Sequence, residues 1–318
     1  MTRVAAIDCG TNSIRLLVAE LMPNYDGTIF LRDLHREMRI VRLGQDVDAT
    51  GRLAPEAIER TRQALAAYTV AARRKGAERV RMVATSATRD AANRDDFFDM
   101  TEQTLGVRAE VITGDTEARL TFTGAVGEQD PDGGPFLVAD VGGGSTELVL
   151  GDWDGRTATV HAAKSVDIGC VRITERTLRS DPPTAAEIEA GRELAAEVLA
   201  GAFDAVDVSK AKRWIGVAGT VTTLSAIAQE LPEYDSERTH LSTLTPADLK
   251  RTATTLLSAD HATRAANPVI HPGRVDVIGG GALIVQTIAE ELARRGGPAD
   301  LVVSEHDILD GIALSLAD

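Results

Sequence analysis

The chain has 318 residues, 34 of them basic and 48 acidic, for a formal net charge of −14, and aromatic residues make up only 3%. That balance argues against a general nucleic-acid binder, which needs cationic contacts to phosphate, and against a single-strand binder that stacks bases on aromatic rings. With 43% hydrophobic and 26% charged residues the composition is globular, and no apolar run reaches the roughly 18–20 residues of a membrane span.

No charged-then-apolar leader precedes the Val4–Asp8 pattern. Cys9 and Cys170 are too few for a disulfide framework, which fits a reducing compartment. A cytoplasmic protein is therefore expected, with no DNA and no membrane as partners.

In chain order, Val4–Asp8, Ile14–Leu21 and Thr28–Arg36 read as strands separated by Gly, Asn and Pro signals. Pro55 opens a helix that Gly76 closes, with Ile58, Leu65 and Ala72 on one face. Arg79–Ala84 and Arg108–Ile112 are strands around a helix near Asp90–Leu105. Phe136–Asp140, Glu147–Gly151 and Thr157–Val166 form a second strand series. Helices follow near Thr184–Ala205, Thr220–Leu231, Pro246–Ser258 and Arg274–Arg295, and a Val302–Val303 strand and a His306–Leu316 helix close the chain. The pattern is α/β.

An internal repeat sets the architecture. Asp8-Cys-Gly-Thr-Asn-Ser-Ile-Arg-Leu-Leu-Val recurs as Asp140-Val-Gly-Gly-Gly-Ser-Thr-Glu-Leu-Val-Leu, with Asp8 matching Asp140, Gly10 matching Gly142 and Ser13 matching Ser145. Each copy lies between two apolar strands, so each reads as a hairpin with a glycine-rich tip, and two related domains are expected. Glycine lets backbone N–H groups approach phosphate oxygens, small hydroxyls add donors, and an Asp can hold Mg²⁺ directly or through its waters. One hairpin alone is as well explained by a tight turn; two shift the balance to phosphate binding.

A third element, Gly216-Val-Ala-Gly-Thr-Val-Thr-Thr-Leu, runs from a strand into a helix N-terminus, which suits an anion although a Thr-capped helix explains it equally well. Gly279–Gly281 fit either a ligand contact or close helix packing. The chain has no G-x-x-x-x-G-K-[ST] segment. The adjacent His306-Asp307 is followed by too little chain for a helical metal-dependent phosphohydrolase domain and reads as a helix cap.

DCGTNSIRLLVAE at 8–20, ATSATRDAANRDDF at 84–97, VITGDTEARL at 111–120, DVGGGSTELVLG at 140–151 and GVAGTVTTL at 216–224 together resemble the exopolyphosphatase / guanosine pentaphosphate phosphohydrolase family, in its short form. The resemblance implies two ribonuclease-H-like domains of the actin, sugar kinase and heat-shock ATPase superfamily facing across a cleft. Their expected extents are 1–127 with about 304–318, and 128–303. It also implies a hydrolase that releases terminal orthophosphate from polyphosphate or guanosine pentaphosphate with Mg²⁺, and it admits a homodimer.

By the same resemblance Glu117 activates the attacking water, and Thr116 stands where many members carry a second acid. Arg89 would hold the terminal phosphate. Asp140 and Glu147, with Asp8 of the first hairpin, would hold the metal. Thr11, Asn12 and Ser13, then Gly142, Gly143, Gly144 and Ser145, then Gly219 and Thr220, would cradle phosphate oxygens. Arg15 and Arg119 read as solvated charges. The small basic clusters Arg73-Arg74-Lys75, Arg79 with Arg81, and Arg294-Arg295 favour short polyphosphate or a nucleotide over long chains. Two alternatives use the same residues: a weakly catalytic protein that binds alarmones or polyphosphate, and a superfamily kinase with Gly279–Gly281 at adenosine.

Overall fold

The computed structural model describes residues 2–25 and 27–317. The chain divides into two compact units, Met1–Gly124 with His306–Asp318, and Ala125–Glu305.

In the first unit, β1 (Thr2–Cys9), β2 (Ser13–Pro23), β3 (Ile29–Ile40), β4 (Arg79–Ala84) and β5 (Glu110–Val111) form one sheet in the order β3-β2-β1-β4-β5. β1, β2 and β3 are antiparallel, whereas β4 and β5 run parallel to β1. β1 is buried on both faces, which is why VAAI reads as an unbroken apolar run rather than an alternation. Ala5, Ile7 and Cys9 face a core shared with helices α1 (Pro55–Lys75) and α3 (Arg94–Leu105), while Val4 and Ala6 face the C-terminal helix Ile308–Leu314. Between α1 and α3 lies the short helix α2 (Ser86–Asp90), and α4 (Gly114–Val126) follows β5.

The second unit repeats the plan. β6 (Phe136–Val141), β7 (Thr146–Trp153) and β8 (Ala158–Val166) are antiparallel, and β9 (Arg213–Val217) and β11 (Leu301–Val303) continue the sheet parallel to β6. An antiparallel edge strand β10 (Thr243–Leu244) completes the order β10-β11-β9-β6-β7-β8. Leaving out β10, this is the strand order and direction pattern of the first sheet. The repeat read from sequence is thus a repeat of structure, two ribonuclease-H-like sheets each opened by an Asp-bearing hairpin. Helices α5 (Cys170–Thr177), α6 (Ala185–Ala205), α7 (Ala218–Ala228), α8 (Pro246–Ser258) and α9 (Ile278–Arg295) surround it, with one apolar core drawn from sheet and helices.

Several boundaries differ from the sequence reading. The helix expected over 90–105 is split, because the Asn93 side chain binds the backbone of Leu53 on both sides, accepting from its N–H at 2.8 Å and donating to its carbonyl at 3.0 Å. The helix expected from Thr220 to Leu231 begins at Ala218 and ends at Ala228, before Glu230 turns left-handed at φ 53. The helix expected from Arg274 begins at Ile278, after a 3-10 turn over Pro272–Arg274. α5 was not expected. Among the described residues no helix is long and apolar enough to cross a membrane.

Candidate active site

In the first unit Asp8 ends β1 and faces Arg15 across the β1–β2 hairpin. Because side chains alternate along a strand, Asp8 shares a face with Val4 and Ala6, and Arg15 with Leu17 and Ala19. Both therefore point to the side covered by the C-terminal helix. One oxygen of Asp8, Oδ2, accepts from Arg15 Nε at 3.0 Å and Nη2 at 2.6 Å, and Arg15 Nη1 donates to Asp307 Oδ2. Arg15 is thus no solvated charge, contrary to the sequence reading. Burial opposes its charge, yet Asp307 and Asp8 hold its pKa well above the ordinary value. Asp8 is 4% exposed, and burial raises its pKa against the pull of Arg15. Its Oδ1 is buried with no hydrogen-bond partner.

Glu117 lies in the first turn of α4, a helix whose start is braced by the Thr113 hydroxyl, which accepts from Thr116 N at 3.2 Å. The Thr116 hydroxyl lies 3.0 Å from that of Thr113. Glu117 is 7% exposed, and its Oε2 accepts from Arg89 Nη1 at 3.0 Å. The same nitrogen of Arg89, in the last turn of α2, also donates to the Ile112 carbonyl at 3.0 Å. Burial pushes the Glu117 carboxyl up to about 7, against the lowering influence of Arg89 and with the charge of Asp8 adding to the rise. A carboxylate so poised takes a proton near neutral pH. Arg119, two residues on, pairs with Asp115 at 2.9 Å on the surface, as a solvated charge should.

The tip of the first hairpin is held by its backbone. The Asn12 carbonyl accepts from Val41 N and Arg42 N at 3.0 and 2.9 Å, and the Thr11 hydroxyl lies 2.8 Å from that of Ser86. Ser13 opens β2, and its carbonyl accepts from Gly10 N at 2.9 Å.

The second unit has the corresponding hairpin with an acid where the first has Arg15. Asp140 faces Glu147 in the β6–β7 register, in the positions where the first hairpin has Asp8 and Arg15. Both are buried, and Glu147 Oε1 accepts from the Ser165 hydroxyl at 2.6 Å. Gly142 N–H donates to the carbonyl of Ser145, whose side chain is buried; the carbonyls of Gly142 and Gly143 accept from the first N–H groups of α5. That packing is close enough that a Cβ on Gly169 would come within 2.4 Å of the Gly143 carbonyl carbon. α5, unseen in the sequence, braces the turn that carries Gly143 and Gly144.

The third element enters α7 through Ala218, whose φ of 69 is a left-handed conformation costly for a residue with a Cβ. Thr220 is buried. Gly219 is covered by Arg274, since a Cβ there would lie 1.9 Å from Arg274 Nη2, and Arg274 Nη1 donates to the Gly219 carbonyl at 3.3 Å. Sequence reasoning missed Arg274. Its only signal was a lone Arg between a Pro-Gly pair and a helix. Two of the three glycines at 279–281 are closely packed: a Cβ on Gly280 would meet Thr174 Oγ1 at 2.4 Å, and one on Gly281 would meet Thr220 Cγ2 at 2.6 Å. Asp307 does cap the C-terminal helix, as read, accepting from Leu309 N at 3.0 Å. Its ion pair with Arg15 had no signature in sequence.

Each unit carries a hairpin with an acid and a glycine tip, the first adds the Glu117–Arg89 pair and the second a glycine entry to a helix, and residues 24–316 match the Ppx/GppA phosphatase family. The chain belongs to that family. Exopolyphosphatase 2 of Mycobacterium tuberculosis is 56% identical over 322 residues, spanning 100% of this chain and 99% of the relative. A guanosine-5'-triphosphate,3'-diphosphate pyrophosphatase of Vibrio vulnificus is 33% identical over 81% of this chain and 48% of its own. The crystal structure of an exopolyphosphatase-like protein superposes with a TM-score of 0.93 at 42% identity, covering 99% of this chain and 98% of that one.

Proposed function

We propose that this member of the Ppx/GppA family is a phosphoanhydride hydrolase that releases terminal orthophosphate from short-chain polyphosphate, guanosine pentaphosphate or both, with Mg²⁺ as its cation. The observation that carries the reading is Glu117, a buried carboxyl held near 7 beside a guanidinium. It is supported by the name of a relative 56% identical over the whole chain.

In this reading Glu117 takes the proton of a water whose oxygen attacks the terminal phosphorus. The bridging P–O bond breaks, and its electron pair leaves with the shortened chain or nucleotide. Arg89, which donates to Glu117 in the free protein, turns part of its fork to the terminal phosphate and neutralises the charge that develops there. Backbone N–H groups at Thr11–Ser13, Gly143–Ser145 and Gly219–Thr220 receive the remaining oxygens, while the Gly142 N–H, bonded to the Ser145 carbonyl, shapes the turn instead. Asp140, Glu147 and Asp8 hold the cation, which when bound offsets phosphate charge. Each unit offers hard oxygen donors of its own: Asp140 and Glu147 are buried carboxylates facing each other in the second, and in the first Asp8 keeps a buried oxygen without a hydrogen bond, chemistry that suits a divalent ion. The net charge of −14 supports short polyanions over long ones, which need a basic track. Phosphate release from both substrate classes, measured with and without Mg²⁺, tests the proposal; no release from either with the folded protein overturns it.

A further inference from the structure

The Arg15 fork is divided unusually. A guanidinium meeting a carboxylate alone tends to form two parallel bonds, one to each oxygen. Here Nε and Nη2 both go to Oδ2 of Asp8, and Nη1 is drawn away to Asp307. Asp307 is itself fixed: it is 3% exposed, its Oδ1 accepts from Leu309 N, and its N–H donates to Asp310 Oδ2 at 3.0 Å. Asp310, 2% exposed, is anchored in turn by Arg36 and His306. What this leaves is Asp8 Oδ1, buried and without a hydrogen bond.

We propose that Asp307 is a positioning residue: by holding one arm of Arg15 it confines the guanidinium to Oδ2 of Asp8 and keeps Oδ1 as the acceptor that Asp8 offers to a divalent cation or its bound water. The inference rests on the reading above, in which Asp8 serves the cation. Without Asp307, Arg15 closes on both oxygens of Asp8 and competes with the ion. The acid on the C-terminal helix thus acts on the hairpin only through Arg15.

The test is Mn²⁺ binding to the full chain without substrate, read as free Mn²⁺ by electron paramagnetic resonance, with thermal melting of each variant alongside. Asp307→Asn and, as a second variant, Asp307→Ser both keep a side chain able to cap the helix. Each is expected to weaken Mn²⁺ binding about tenfold, in the range of changes behind a ligand. Arg15→Met is expected to tighten it, and adding Asp307→Asn to Arg15→Met to change affinity by less than about twofold, since nothing is left to hold. Equal weakening in both backgrounds would mean that Asp307 acts by its charge through space, and overturns the inference. So does unchanged affinity in Asp307→Asn while Asp8→Asn weakens binding. If Asp8→Asn also leaves Mn²⁺ affinity unchanged, the assignment of Asp8 to the cation has failed and the inference falls with it.

Discussion

Replacing Glu117 by Gln removes one ionisable proton site and little volume, so its consequences can be worked from the geometry. The carboxyl stands at about 7 rather than 4.5 because burial disfavours its charge. A folded value above the unfolded one means that this group's contribution to stability is fully present below about pH 4.5 and is lost as pH rises through about 7. At about 1.4 kcal/mol per unit, the native protein at pH 8 carries a cost on the order of 3 kcal/mol that Gln does not. The attraction of Arg89 is already contained in the value of about 7. Urea unfolding should therefore give nearly equal stabilities for the two proteins at about pH 4 and a more stable Glu117→Gln at about pH 8, by about 1–3 kcal/mol. Turnover should move the other way, falling by about two to four powers of ten. The wild-type kcat/KM should decline about tenfold per pH unit below about 7, and the residual rate of the variant should lack that limb. A stability difference independent of pH would refute the burial argument, and unchanged turnover would remove Glu117 from the role of base.

Three further outcomes are expected. Asp140→Asn should raise the Mg²⁺ concentration needed for half-maximal phosphate release by about tenfold or more, read from a metal titration at saturating substrate; an unaltered titration counts against Asp140 as a ligand. Gly219→Ala puts a methyl where the Arg274 guanidinium lies, and should raise KM for substrate more than it changes Tm; a large loss of Tm with normal KM would make Gly219 a packing residue only. Gly311→Ala would place a Cβ 2.0 Å from the Leu120 carbonyl oxygen, where α4 meets the C-terminal helix, and should cost about 1–3 kcal/mol in urea unfolding. A Gly311→Ala protein as stable as wild type would mean that this contact relaxes freely.

Most of the fold was legible because its signals are local and repeated. The apolar runs at Val4–Ile7 and Phe136–Ala139, each ending in an Asp before glycines, mark both hairpins, and Pro55 with Gly76 brackets α1, whose last residue precedes a left-handed Gly76. Glu117 was legible only through the motif around it, since its spacing alone describes a surface acid in a first helical turn. What sequence could not carry were contacts between distant segments. Arg15 and Asp307 are 292 positions apart, and Gly219 and Arg274 are 55 apart. Neither pair leaves a periodicity or a spacing to read. α5 was missed for a related reason: it is short and polar on one side, and it exists because its first N–H groups are satisfied by the carbonyls of Gly142 and Gly143. The close neighbours of Gly280 and Gly281, Thr174 and Thr220, were likewise out of reach of the sequence.

The central claim, that Glu117 drives water onto a terminal phosphate, is tested most directly by orthophosphate release with Mg²⁺ from short polyphosphate, long polyphosphate and guanosine pentaphosphate in parallel. Each is run with wild type and Glu117→Gln, beside a binding titration. Wild type should release orthophosphate, fastest from the short polyanions, and Glu117→Gln should release almost none while binding persists. Binding without release by the wild type, or release untouched by the substitution, would contradict it.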